Sequence, residues 1–176
     1  ADRTDLPFWQ RIAGRFRQAS VLELGCGSGA VTEMLAPHAR RVVGIDLSDD
    51  LLQQGRQRLA RWSQVSLVRA DMRRLPFCAE ARAFDLVVGA NDPFSHLTAS
   101  EDRDAVLQSV AGLLAPGGHL VLDALWLSPP EAAEVQSDSG RVQEHDTTVD
   151  GQPLRVVERW RRDPGAVRCC EARYEY

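Results

Sequence analysis

The sequence predicts a doubly wound α/β fold with a C-terminal antiparallel β meander, and three features carry that expectation. Short apolar runs alternate with helix-period segments through the first 128 residues. A turn with glycine at every second position, Gly25-Cys26-Gly27-Ser28-Gly29, follows the first of these runs. After Ser128 the composition turns polar, and three runs of alternating apolar and polar residues follow.

In chain order, Asp5 is placed to cap a helix with Pro7 in its first turn and Phe8, Ile12 and Phe16 on one face. Val21 to Leu24 reads as a buried strand, and past the glycine turn a helix with Val31, Met34 and Leu35 inward is stopped by Pro37. Arg41 to Asp46 is the second strand, and Ser48 caps a helix whose Leu51, Gly55, Leu59 and Trp62 form one stripe. Val65 to Arg69 and Phe84 to Gly89 are the third and fourth strands, joined through ADMRRLPF. Thr98 and Glu101 have capping-box spacing for a helix with Val106, Val110 and Leu113 inward, which Pro116, Gly117 and Gly118 end. His119 to Leu125 is the fifth strand. Continuous apolar strands between helices imply a mostly parallel sheet covered on both faces, with ligands at its carboxyl edge.

The meander runs are separated by the turn signals Asp150-Gly151 and Pro164-Gly165, so the expected organisation is a core over 1–128 and a β appendage over 129–176. With 176 residues and 44% apolar content, the chain is expected to fold into a soluble core. No apolar run approaches the roughly 18 to 20 residues of a membrane span, and ADRTDLPFWQ lacks a basic-then-apolar leader pattern, so no membrane and a cytoplasmic address are expected. Cys26, Cys78, Cys169 and Cys170 show no CxxC pair or metal-ligand spacing, so neither disulfides nor a metal site is expected. All 21 basic residues are Arg, which fits a GC-rich genome. The net charge of -4, without a basic cluster beyond short runs, argues against nucleic acid and for a small-molecule substrate.

Glycines in a strand-to-helix turn let backbone approach a ligand closely. Taken alone, Gly25-x-Gly27-x-x-Ala30 with Asp46 about 20 residues on also satisfies a dinucleotide fingerprint, which leaves a nicotinamide-dependent oxidoreductase as an alternative. The wider text resembles the class I S-adenosylmethionine-dependent methyltransferases. VLELGCGSGAVTEML, VVGIDLS, VRADMRRLPF, FDLVVGANDPFSHL and LLAPGGHLVLD occur in that superfamily's order, and Glu23 matches its E/DxGxGxG pattern.

The resemblance implies a Rossmann-like fold that binds S-adenosylmethionine and releases S-adenosylhomocysteine. Gly25, Gly27 and Gly29 would form the loop beside the methionine portion, and Glu23 would fix that loop or reach the amino group. Asp46 would accept from both ribose hydroxyls and Leu47 would pack on the adenine. Asp71 would accept from the adenine amino group, Met72 would offer its backbone N–H to the ring, and Asn91 would complete the cofactor set. At the reacting end Asp92 and His96 are the candidate bases, although in-line displacement gains much from alignment alone. Asn91-Asp92-Pro93-Phe94 is similar to the N/D-P-P-Y/F motif of amino-directed enzymes, with Asp92 in place of the first proline. Asp5-Leu6-Pro7-Phe8-Trp9 and Arg159-Trp160 resemble small bacterial methyltransferases acting on metabolites, in which the antiparallel strands form a lid and two more strands complete a seven-stranded sheet. The chain ends at Arg173-Tyr174-Glu175-Tyr176 inside the meander, so it is expected to lack those last strands. A protein that binds the cofactor without catalysis is the third possibility.

Overall fold

The computed structural model describes residues 5–78 and 82–124 together with three later strands. The first part holds α1 (Leu6–Arg15), β1 (Ser20–Leu24), α2 (Ala30–Leu35), β2 (Arg41–Asp46), α3 (Asp49–Arg58), β3 (Val65–Arg69), β4 (Phe84–Gly89), α4 (Ser100–Leu113) and β5 (Leu114–Leu122). Short 3-10 turns stand at Met72–Arg74 and Pro93–His96. The five strands form one parallel sheet in the order β3-β2-β1-β4-β5. The chain builds outward from β1 to β3 and then crosses to β4 on the other side of β1. Strand order reverses there, the place where open α/β sheets bind ligands at their carboxyl edge.

Alternation along the buried strands divides the core in two. Val21, Val42, Leu86 and Val88 face α1 and α2, where they meet Trp9, Ala13, Val31 and Leu35. Leu22, Leu24, Val43, Ile45 and Val87 face the side of α4, where they meet Val106, Val110 and Leu113. The core strand β1 is buried at all five positions, as a central parallel strand covered on both faces must be.

Several local expectations are corrected. In α1 the buried residues are Trp9 and Ala13, while Phe8 is exposed. Asp5 stands at the N-cap, but its carboxylate makes no cap bond and accepts instead from the Trp9 indole at 2.9 Å. The buried stripe of α3 is Leu52, Gly55 and Leu59, with Leu51 exposed. Ser48 does cap α3, accepting from the Leu51 N–H at 3.3 Å. The capping box is not made: Ala99 is the N-cap of α4, which puts Asp102 rather than Glu101 at the third helical position. β5 begins at Leu114, before the Pro116-Gly117-Gly118 segment, because Leu114 already pairs with Phe84 and the segment is absorbed in a register shift before His119 meets Leu86.

The later strands are β6 (Val142–Val149), β7 (Gln152–Arg162) and β8 (Arg168–Glu175), an antiparallel sheet in that order. The turn signals at 150–151 and 164–165 and the end of the expected fifth strand at Leu125 lie outside the described residues. The chain divides into compact units at 1–124 and 125–176. No helix among the described residues is long and apolar enough to cross a membrane.

Candidate functional site

The turn after β1 reverses on glycines. Gly25, Gly27 and Gly29 have φ of 67°, 53° and 80°, a region that costs an L side chain roughly 1–2 kcal/mol per residue. The folded-back loop is tied down by its own backbone: the Cys26 N–H donates to the Ile45 carbonyl at 2.9 Å and the Gly29 N–H to the Cys26 carbonyl at 2.9 Å. A second close approach presses α3 onto the loop, since a Cβ on Gly55 would stand 2.7 Å from Leu67 Cδ1 and 3.3 Å from the Ser28 carbonyl carbon. The small residue therefore fixes how near the helix comes to the turn.

Two carboxylates frame this turn. Glu23, 2% exposed in the middle of the sheet, accepts a hydrogen bond from the Thr32 hydroxyl on α2. Asp46, at the carboxyl end of β2, accepts from the Gly27 N–H at 2.8 Å through Oδ2 and from the Ser48 N–H at 2.9 Å through Oδ1. It thus joins the glycine turn to the start of α3. Each Asp46 oxygen keeps a lone pair for another donor, because a carboxylate offers about four acceptor sites. Between the two acids lies the Cys26 thiol, whose pKa is pushed far up first by burial and then by the charges of Glu23 and Asp46. It stays a neutral thiol and packs rather than reacts.

The other walls come from the ends of β3 and β4. Ala70 and Met72 line the cavity, whereas Asp71 between them turns to Arg73. Asp71 accepts from the Arg73 backbone N–H at 2.9 Å and from its guanidinium at 2.6 Å, and these bonds hold its carboxyl below the usual range. The same pairing raises the Arg73 pKa. Beyond β4, Asn91 and Asp92 have φ of 62° and 51°, two consecutive non-glycine residues in the left-handed region. Asp123 holds this hook: its carboxylate accepts from the Asn91 N–H at 3.2 Å, and its own N–H donates to the Gly89 carbonyl at 2.8 Å. The Asp92 carbonyl accepts from the Ser95 hydroxyl at 2.7 Å, starting the turn that delivers His96.

These walls enclose a cavity of about 440 Å³, within the usual range for small-ligand sites. Glu23, Gly25, Gly27, Asp46, Leu47, Met72, Asn91 and His96 all line it. Three expected site residues lie outside the lining. Gly29 is the N-cap of α2, Asp71 is drawn aside by Arg73, and Asp92 contributes backbone to the turn behind His96. The sequence reading missed Cys26, Ser28, Ser48, Leu51 and Pro93, which also line the cavity. Leu51 was expected on the buried stripe, but Leu52 takes that place and Leu51 stands at the cavity. Leu47 and Leu51, 57% and 39% exposed, give the cavity an apolar lip above its two acids. The arrangement suits a ligand with a flat apolar part, vicinal hydroxyl donors and a cationic end. Among the described residues no group of three or more His, Cys, Asp or Glu is placed to hold a metal ion.

Residues 21–118 match the family described as a methyltransferase domain. The chain is 34% identical over 103 residues to nodulation protein S of Bradyrhizobium diazoefficiens, a match covering 58% of this chain and 47% of the relative. It is 31% identical over 108 residues to the dTDP-3-amino-3,4,6-trideoxy-alpha-D-glucopyranose N,N-dimethyltransferase of Streptomyces venezuelae, covering 61% of this chain and 43% of that one. Among solved structures, DesVI of Streptomyces venezuelae superposes with a TM-score of 0.69 at 25% identity, over 97% of this chain and 76% of that one. The N-methyltransferase NodS of Bradyrhizobium japonicum gives a TM-score of 0.61 at 25% identity, over 85% of this chain and 90% of that one. The matched span is under half the length of each of these two curated relatives.

Proposed function

The chain belongs to the class I S-adenosylmethionine-dependent methyltransferase family, and from that premise we propose that it transfers a methyl group from S-adenosylmethionine to a small-molecule acceptor. One observation carries the reading: a single cavity runs from the glycine turn and Asp46 to Asn91 and His96, so a donor site and a reacting end share one space. The cavity walls fit the cofactor. Gly25 and Gly27 both line the cavity, and a Cβ on either would fill part of it, in contact with Pro93, Met72 or Leu51 at 3.7–3.9 Å.

When bound, the cofactor supplies a sulfonium-activated methyl group. Asp46 accepts from the ribose hydroxyls with the lone pairs its two backbone donors leave free. Glu23 holds the loop through Thr32 and places negative charge at the end meant for the cofactor's ammonium. Leu47, Leu51 and Met72 line the cavity and would cover the adenine, the Met72 N–H would serve the ring, and Asp71 would accept from the amino group only once released from Arg73. Asn91 closes the far end, and His96 takes the proton that the acceptor loses as the new bond forms. Asp92 has no direct part in this scheme. Alignment of the acceptor by the Asn91 to His96 hook does the rest of the work.

An amine-bearing sugar or comparable metabolite is the first acceptor to try, because one relative acts on an amino sugar and another is an N-methyltransferase. The net charge of -4 does not favour nucleic acid. The test is calorimetry with S-adenosylhomocysteine, followed by methyl transfer from labelled S-adenosylmethionine to a metabolite extract with and without its amines. Binding and amine-dependent labelling are expected. No binding at millimolar ligand, or binding of NADH in its place, overturns the reading.

A further inference from the structure

Asp71 sits between two cavity-lining residues, Ala70 and Met72, yet does not line the cavity itself. Its carboxylate accepts hydrogen bonds from Arg73. Oδ1 accepts from the Arg73 backbone N–H at 2.9 Å and from Nε at 3.0 Å, and Oδ2 accepts from Nε at 2.9 Å and Nη2 at 2.6 Å. A neutral amino group is a weaker donor than a guanidinium, so it displaces Arg73 only if that cation finds another acid. One is at hand: Asp102, in the first turn of α4, has Oδ2 3.7 Å from Arg73 Nη1.

We infer that Arg73 is a positioning residue for adenine selectivity, a latch that holds Asp71 aside and exchanges onto Asp102 when the adenine amino group takes its place. Arg73 has this role only if the cavity is the S-adenosylmethionine site proposed above. Asp71, Arg73 and Asp102 are all partly exposed, so the exchange takes place in water and desolvates no cation. The energy separating the two arrangements is that of a surface ion pair, which makes the latch weak and reversible. Its effect falls on the amino group alone. A ligand with hydrogen in place of the amino group offers Asp71 no donor and gains nothing by releasing it.

The test is calorimetry on the intact chain with S-adenosylhomocysteine and with its 6-deamino analogue, which carries a hydrogen in place of the amino group. Arg73→Gln is expected to tighten S-adenosylhomocysteine binding about two- to fivefold and to leave binding of the 6-deamino analogue unchanged. Arg73→Lys, which keeps a single-point ion pair, should fall between wild type and Arg73→Gln. Asp102→Asn should weaken S-adenosylhomocysteine binding about twofold by removing the second berth, an effect that disappears when Arg73→Gln is also present. The latch is overturned if Arg73→Gln leaves S-adenosylhomocysteine affinity unchanged or lowers it, or if both ligands shift equally. If Asp71→Ala binds S-adenosylhomocysteine as tightly as wild type, Asp71 is not the adenine acceptor, and the latch falls while the cofactor reading stands. If the wild-type chain binds no S-adenosylhomocysteine, the cofactor reading itself fails and takes the latch with it.

Discussion

The two ends of the cavity are built on opposite principles. At the glycine turn, φ values of 67°, 53° and 80° fall on glycines, so the fold adopts left-handed backbone at little cost. Asp46 then locks the turn with two backbone donors. At the hook after β4, φ values of 62° and 51° fall on Asn91 and Asp92, which carry side chains, and the local cost is borne by Asp123 and the β4/β5 pairing. The first end is a receptor made rigid without strain. The second holds side chains in a position they would not adopt alone, which is the pattern expected where chemistry rather than binding is specified.

That contrast is broken most severely at Asp46. Asp46→Ala removes a charged acceptor from two backbone N–H groups, each bond worth about 1.5–3 kcal/mol, together with the ribose acceptor. S-adenosylhomocysteine affinity is expected to fall at least about a hundredfold, and the denaturation midpoint to drop with it. An affinity within about tenfold of wild type would mean that the turn does not depend on its carboxylate lock.

The next largest effect is at the other end. His96→Gln is expected to lower turnover by about a hundredfold, the lower bound for loss of a general base, with S-adenosylhomocysteine affinity unchanged. Asp92→Asn should leave turnover within about threefold, because its side chain is not in the wall. The reverse ranking would return the proton acceptor to Asp92.

Smaller effects compare the two backbones directly. Gly29→Ala puts a methyl group 2.6 Å from Leu59 Cδ1 at φ 80° and should cost about 1–3 kcal/mol of stability by denaturant titration. Asn91→Gly and Asp92→Gly should do the opposite, each raising stability by up to about 0.5 kcal/mol, with turnover falling only for Asn91→Gly, whose side chain is in the wall. Destabilisation by either would show that the hook is not strained.

Legibility followed the range of the interactions. The boundaries of β2 and β4 were readable as they stand because apolar runs between turn residues have one good solution in a covered parallel sheet. Ser48 was readable because a cap acts over three residues. Thr98 was misleading for the same local reason: its spacing to Glu101 is right, but the helix starts one residue later. Leu51 and Leu52 are adjacent and equally apolar, so periodicity alone could not say which lies under the sheet and which stands at the cavity mouth.

The amino-acid sequence by itself determined the α/β class, the strand-turn-helix that carries Gly25 and Gly27, and the placement of Glu23 and Asp46 beside it. Each of these is written in residues close along the chain, where spacing is geometry. Tertiary structure decided what the remaining polar residues do. It gave Glu23 to Thr32, set Asp123 to hold Asn91, and turned Asp71 onto Arg73 with Asp102 within reach. It also placed His96 in the wall and left Asp92 behind it. A carboxylate is satisfied by whichever donor the fold brings near, and that donor is not encoded in the residue itself.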